Sequence, residues 1–200
     1  MITLSKLTKS FGDNRLFTDL SYTLTKGISC LQGPSGCGKT TLGRILVGLE
    51  QADTGIVSGV TGRPVILFQE PRLLPAVSAR QNVACVSRCK DALTHANDLL
   101  QRLGFTNDDM DKKTDELSGG MQQRVAIARV LLFAAENEGN LAILDEPFRG
   151  LDPTTKEKAA TLIRDSLSER VVLVITHDDI DAALLGGKSL SFYDLQNGIC

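Results

Sequence analysis

The sequence carries no surplus of one charge sign: 22 basic residues stand against 24 acidic ones, for a formal net charge of −2. That balance gives no electrostatic reason to expect nucleic acid or an anionic membrane surface as the main ligand. Long apolar runs are missing as well. "VVLVIT" and "LAIL" fall far short of the roughly 20 apolar residues needed to cross a bilayer. No charged region followed by an apolar stretch opens the chain, so a secretory leader is not expected. There is no repeat at a fixed period, no low-complexity tract and no charge block. The five cysteines, at 30, 37, 85, 89 and 200, are odd in number and scattered. Cys85 and Cys89 are spaced to share a helix face, but His95 stands alone and no second Cys/His pair follows at metal-ligand spacing. The thiols are therefore read as reduced and unpaired rather than as a zinc site. These absences together point to a cytoplasmic protein.

What is present suits one compact domain over 1–200. The 200 residues are 42% hydrophobic and 23% charged, ordinary for a globular chain that buries roughly 70% of its unfolded surface. Ile2 to Lys26 mixes β-branched and polar residues around a turn at 12–14 and reads as a small antiparallel β-layer. "ISCL" (28–31) is a short buried strand. Leu42, Ile45, Leu46 and Leu49 then mark one apolar face of a helix over Lys39 to Leu49. "PVILF" (64–68), "LAILD" (141–145) and "VVLVIT" (171–176) are continuous apolar runs, which suit parallel strands covered on both faces. Between Gln69 and Leu117 the patterning is mostly helical, as in Ala92 to Leu103 with Leu93, Ala96, Leu99, Leu100 and Leu103. The fold class expected is α/β: a mostly parallel sheet, an N-terminal antiparallel β-layer and an inserted helical subdomain over roughly 70–125.

"GPSGCGKT" (33–40) matches G-x-x-x-x-G-K-[ST] between a strand and a helix, the context in which that pattern makes a phosphate loop. Gly33, Gly36 and Gly38 let the backbone wrap a phosphate chain with its N–H groups. Lys39 offers a charge to the terminal phosphates, and Thr40 a hydroxyl to Mg²⁺. Pro34, Ser35, Cys37 and Thr41 complete the nucleotide-binding stretch. "LAILDEP" (141–147) places Asp145 at the end of a buried strand, where ligands gather in wound sheets. Asp145 would hold Mg²⁺ through water, and Glu146 would orient and deprotonate an attacking water. His177 follows "VVLVIT" in the same way, which aims it at a γ-phosphate. A second candidate turn lies in "LSGGMQQR" (117–124). There Ser118 can cap a helix while Gly119 and Gly120 clear space for a phosphate. Taken alone, that turn serves either a second ligand or only a helix cap, and the phosphate loop alone leaves kinases, GTPases, helicases and transport ATPases open.

The ordered set decides between them. The phosphate loop at 33–40, Gln69 in "FQEPRLLP", "LSGGMQQR", "LAILDEP", "GLD" (150–152) and "THD" (176–178) follow one another as in the nucleotide-binding subunits of ATP-binding cassette (ABC) transporters. The chain resembles that family over nearly its whole length. The resemblance implies an ATP hydrolase using ATP and Mg²⁺, active as a head-to-tail dimer in which the LSGG turn of one copy covers the ATP held by the other. Phe11 would stack on adenine, unless it is a plain core aromatic. Gln69 would reach the Mg²⁺ and the attacking water. Ser118 and Gly120 would contact the partner's γ-phosphate, and Asp152 would link the two sites. Met121, where Gln is most common, and Arg149-Gly150 depart from the usual pattern. The chain is shorter than many relatives, and no C-terminal regulatory domain is expected.

The resemblance implies further partners: a membrane permease in a separate chain and a periplasmic or surface substrate-binding protein, with the cassette on the inner face of the plasma membrane. Leu73 and Leu74 are expected either to touch the permease or to pack within the helical subdomain. "FQEPRLLP" and "DEPF" are most similar to importers of the nitrate, sulfonate and taurine type and to some thiamine-precursor systems. The rival readings are an exporter or lipoprotein-release ATPase, a non-transport cassette ATPase, and a regulatory subunit that binds ATP without hydrolysing it. Lys39, Asp145, Glu146 and His177 speak against the last.

Overall fold

The computed structural model describes residues 1–197, so Cys200 lies outside the described residues. In chain order the elements are β1 (Ile2–Phe11), β2 (Asn14–Leu24), β3 (Gly27–Gln32), α1 (Lys39–Leu46), β4 (Thr54–Ser58) and β5 (Val65–Leu67). Then come α2 (Ala79–Ala84), α3 (Ala92–Arg102), α4 (Asn107–Asp111), a 3₁₀ turn (Thr114–Glu116) and α5 (Gly119–Glu136). The remainder is β6 (Leu141–Asp145), α6 (Pro153–Leu167), β7 (Val171–Ile175), α7 (Asp179–Leu185), β8 (Lys188–Ser191) and α8 (Phe192–Asn197). Five strands form one sheet in the order β5-β6-β7-β3-β8, every pairing parallel, and β2-β1-β4 form a separate antiparallel layer. This is the α/β arrangement expected, with the central sheet wholly parallel.

The strand sequences explain the two-sided burial. Side chains alternate across a sheet, and in β6 Ala142 and Leu144 join one core cluster while Leu141 and Ile143 join the other. In β7, Val172 and Val174 pack against the helices of one face, and Val171, Leu173 and Ile175 against α1 and the antiparallel layer. Both runs are buried at every position, so neither shows the polar alternation of a half-solvated strand. Each fully buried Leu or Ile contributes roughly 1.5–3 kcal/mol. No helix among the described residues is long and apolar enough to cross a membrane.

Several boundaries differ from the sequence reading. The helix opening at Lys39 stops at Leu46 instead of Leu49, because Gly48 turns to φ 77° and leaves Leu49 exposed. The strand expected over 64–68 shortens to Val65–Leu67. In α3, Leu93 points to solvent and the packed stripe is Ala96, Leu100 and Leu103. Strands β4 and β8 escaped the sequence reading: β4 is short and mostly exposed, and carries Gly55 at φ 93° where a Cβ would meet the Lys6 carbonyl oxygen at 2.4 Å. Cys85 caps the end of α2 and Cys89 lies beyond it, so the two do not share a helix face, and among the described residues no cluster of His, Cys, Asp and Glu is placed to hold a metal ion.

Candidate active site

The loop from Gly33 to Gly38 runs from the end of β3 into the start of α1. Gly38 occupies the N-cap position at φ 111° without any side-chain cap, and Gly36 takes φ 79° with open space in front of it. The first N–H groups of α1 are thus left for an anion to satisfy. A Cβ on Gly38 would press on Leu16 and Phe17 at 3.2 Å, so the loop lies tightly against the β-layer. Lys39 is buried and folds back over this loop, its Nζ donating to the carbonyls of Gly33 at 2.7 Å and Pro34 at 2.8 Å. Two of the three ammonium protons hold the loop in shape, and the third meets only the weak sulfur acceptor of Cys37. Cys37 Sγ is 3.8 Å from the same nitrogen.

The parallel order of β3, β7 and β6 brings the carboxylates to this loop. Thr40 Oγ1 donates to Asp145 Oδ2 at 2.8 Å across 105 residues of chain. Asp145 is buried, and burial pushes its carboxyl above the ordinary value of 3.8 although the Thr40 hydroxyl opposes the shift. It makes no salt bridge among the described residues. A buried carboxylate and a hydroxyl with no paired cation form an oxygen donor set that fits Mg²⁺, which takes one or two protein ligands and completes its shell with phosphate and water. Gln69, exposed at the end of the segment after β5, lines the same cleft.

Glu146 stands at φ 49°, a left-handed conformation that costs a non-glycine residue about 1–2 kcal/mol. Its N–H donates to the Ile175 carbonyl at 2.8 Å, which ties it to the end of β7. His177 lies just beyond, and its Nδ1 is 2.7 Å from Glu146 Oε1. His177, read as a γ-phosphate contact, therefore meets Glu146 in this structure. The turn that carries it is fixed by buried polar groups: Thr176 Oγ1 donates to Asp181 Oδ2, and Lys156 Nζ from α6 donates to Asp178 and Asp181 at 3.1 and 2.7 Å.

The hydrogen bond and charge of Glu146 raise the His177 pKa above its ordinary 6.5. A raised folded value means that the charged pair is intact below about 6.5 and is lost as pH rises through the higher folded value. In an NMR titration His177 is expected to titrate above 6.5, and in Glu146→Gln to fall back toward it. An unchanged titration would show that the contact is not made in solution.

Phe11, Leu16, Ser35, Gly36, Gly38, Lys39, Thr40, Thr41, Gln69, Asp145 and Glu146 line one open cleft of roughly 330 Å³, at the lower end of the range of small-ligand sites. Phe11 is half-exposed at its edge with Lys9 Nζ 4.7 Å from its ring centroid, so it is not a core aromatic. Ser118, Gly119 and Gly120 do not line the cleft. Ser118 caps α5 by accepting from the Met121 N–H at 3.3 Å, and Gly120 packs on Gly150, whose carbonyl oxygen lies 2.6 Å from where a Cβ would sit. Asp152 caps α6 through Thr155. The sequence reading missed Gln123, a buried residue of α5 whose side chain reaches the Glu146–Pro147 turn. It sits between Gln122 and Arg124, in the polar stretch that precedes the apolar run of α5, and nothing local separates it from its polar neighbours or says what it meets.

Comparison with known proteins agrees with this geometry. Residues 17–149 match the family model described as ABC transporter. The aliphatic sulfonates import ATP-binding protein SsuB 1 of Pseudomonas savastanoi pv. phaseolicola is 38% identical over 91% of this chain and 76% of its own length. Its counterpart from Nocardia farcinica is 37% identical over 94% of this chain and 76% of its own length. Among solved structures, a dimeric ATP-binding cassette in a post-hydrolysis state bound to ADP and Pi superposes with a TM-score of 0.79 at 25% identity, covering 96% of this chain and 94% of that one. This chain, with its phosphate loop, paired strand-end carboxylates and detached LSGG turn, belongs to the ABC transporter family and is an ATP-binding, ATP-hydrolysing cassette.

Proposed function

We propose that this chain is the ATPase subunit that energises solute import through a separate membrane permease, working as a head-to-tail pair in which each LSGG turn completes the other copy's site. The observation that carries the paired reading is the division of the motifs: Lys39, Thr40, Gln69, Asp145 and Glu146 share one cleft, while Ser118 and Gly119 are exposed outside it. A second copy would supply what the cleft lacks. The similarity to aliphatic sulfonates import ATP-binding proteins supports the direction of transport. A peripheral position on the inner face of the plasma membrane, a partner substrate-binding protein and a single ABC ATPase domain over 1–200, its helical part at roughly 70–125, belong to the same reading.

In this reading Gly36, Gly38 and the start of α1 bind the phosphates with backbone N–H groups, Lys39 adds charge, and Phe11 stacks on the base. Thr40 and Asp145 would hold Mg²⁺, with Gln69 reaching toward it; when bound, the ion neutralises charge on the terminal phosphates and fixes their orientation. Glu146 takes the proton of the attacking water. His177, released from Glu146, turns to the γ-phosphate. Ser118, Gly119 and Gly120 act on the other copy's nucleotide, and Asp152 connects the two sites. The test is the solution mass of Glu146→Gln with and without ATP. A dimer that forms only with ATP supports the shared site, whereas a monomer in both states overturns it.

For the permease contact, the two leucines divide. Leu73 is partly buried against the helical-side core, and Leu74 is half-exposed with its backbone held by Asn82 and Thr114. The proposed contact is therefore Leu74. Leu74→Glu is expected to abolish co-purification with the permease while leaving ATP binding intact; an undisturbed complex removes Leu74 from the interface. At the loop, alkylation of Cys37 is expected to block ATP hydrolysis, with ATP protecting. Equal sensitivity in Cys37→Ser would assign the effect to another thiol.

A further inference from the structure

We propose that Gln123 is a positioning residue for Glu146, holding the base's backbone turn from the helix that starts at the LSGG motif; the proposal rests on the reading of Glu146 as the general base. Gln123 is 2% exposed. Its Nε2 donates to the Pro147 carbonyl at 2.9 Å and lies 3.3 Å from the Glu146 carbonyl. Glu146 itself is left-handed at φ 49° and precedes a proline, which already restricts its backbone. A residue so placed persists only where its surroundings over-determine it. From the sheet, the hold is the Glu146 N–H on the Ile175 carbonyl. From the helical side, it is the single amide of Gln123, with the Arg149 N–H on the Glu146 carbonyl at 3.3 Å as the local closure.

The place of Gln123 in α5 gives this contact its consequence. Ser118 caps the same helix, five residues earlier, and the Gln122 side chain donates to the Leu117 carbonyl at 3.2 Å and the Thr114 carbonyl at 2.9 Å. Consecutive glutamines therefore grip the LSGG turn on one side and the Glu146 turn on the other. A shift of the LSGG turn when it meets another copy's nucleotide would move the amide that fixes the base. Buried amides of this kind have two donors in fixed geometry, so a shift of about 1 Å is enough to break one bond.

The test compares Gln123→Met, close in shape but without a donor, with Gln123→His, whose Nε2–H restores a donor at similar reach. Turnover is scored per ATP-binding site, so a lower yield of folded protein does not enter the result. Gln123→Met is expected to lose tenfold or more in kcat with KM for ATP unchanged within twofold, and Gln123→His to recover most of the loss. Because Gln123 acts through Glu146, adding Gln123→Met to Glu146→Gln is expected to leave the residual turnover where Glu146→Gln alone put it. Wild-type kcat in Gln123→Met, no recovery with His, or a further loss in the double variant overturns the proposal. Wild-type turnover in Glu146→Gln would instead overturn the reading of Glu146 as base, so the two failures are distinct.

Discussion

Glu146→Gln is expected to lower ATP turnover by roughly a thousandfold, about 4 kcal/mol of barrier, with little change in KM for ATP. The substitution keeps the shape of the side chain and removes its basicity. Nothing in the phosphate loop changes: the Lys39 bonds to Gly33 and Pro34 and the Thr40–Asp145 bond do not involve Glu146. The backbone at 146 keeps its bond to Ile175. Binding and hydrolysis should therefore separate cleanly, which is also why this variant suits the dimer measurement. A loss of tenfold or less at saturating ATP would mean that the proton of the attacking water goes elsewhere.

Lys39→Met is expected to act at the opposite step, weakening ATP binding by roughly a hundredfold. A hydrogen bond to a charged group contributes about 1.5–3 kcal/mol, and about 3 kcal/mol corresponds to slightly more than a hundredfold in Kd. The side chain also shapes the loop from within, since its two bonds to the Gly33 and Pro34 carbonyls would be lost with the ammonium. Calorimetric titration with ATP is the direct measure. A Kd within threefold of the parent would show that the backbone N–H groups of the loop and α1 hold the phosphates alone. Because the nucleotide lies between the two copies in the proposed pair, Lys39→Met should also abolish ATP-dependent dimerisation.

The chemistry was legible in the sequence where it is written in consecutive residues. The phosphate loop at 33–40 joins a strand to a helix, and the glycine spacing that bends the loop is the spacing that the pattern needs. The strands LAILD and VVLVI could be read as doubly covered because continuous apolar runs have one common explanation in a wound sheet. Where local signals compete, the reading was less accurate. Leu49 continues the helical period of α1, yet Gly48 ends the helix first. Leu73 and Leu74 are chemically alike, and only the packing of the helical side separates the buried one from the exposed one.

The sequence by itself determined the family, the class of ligand and the place of the phosphate loop between a strand and a helix, because each motif is local and its geometry is set by a few neighbouring φ/ψ choices. The tertiary structure alone decided which motifs meet. Thr40 reaches Asp145, and His177 reaches Glu146, because β3, β7 and β6 lie side by side in parallel. The LSGG turn lies at the start of α5 and stays outside the cleft, while the body of α5 packs on β5 and the neighbouring helices and brings Gln123 to the Glu146 turn. Strand order and helix direction depend on how the whole chain buries its two cores, and no short stretch of sequence carries that information.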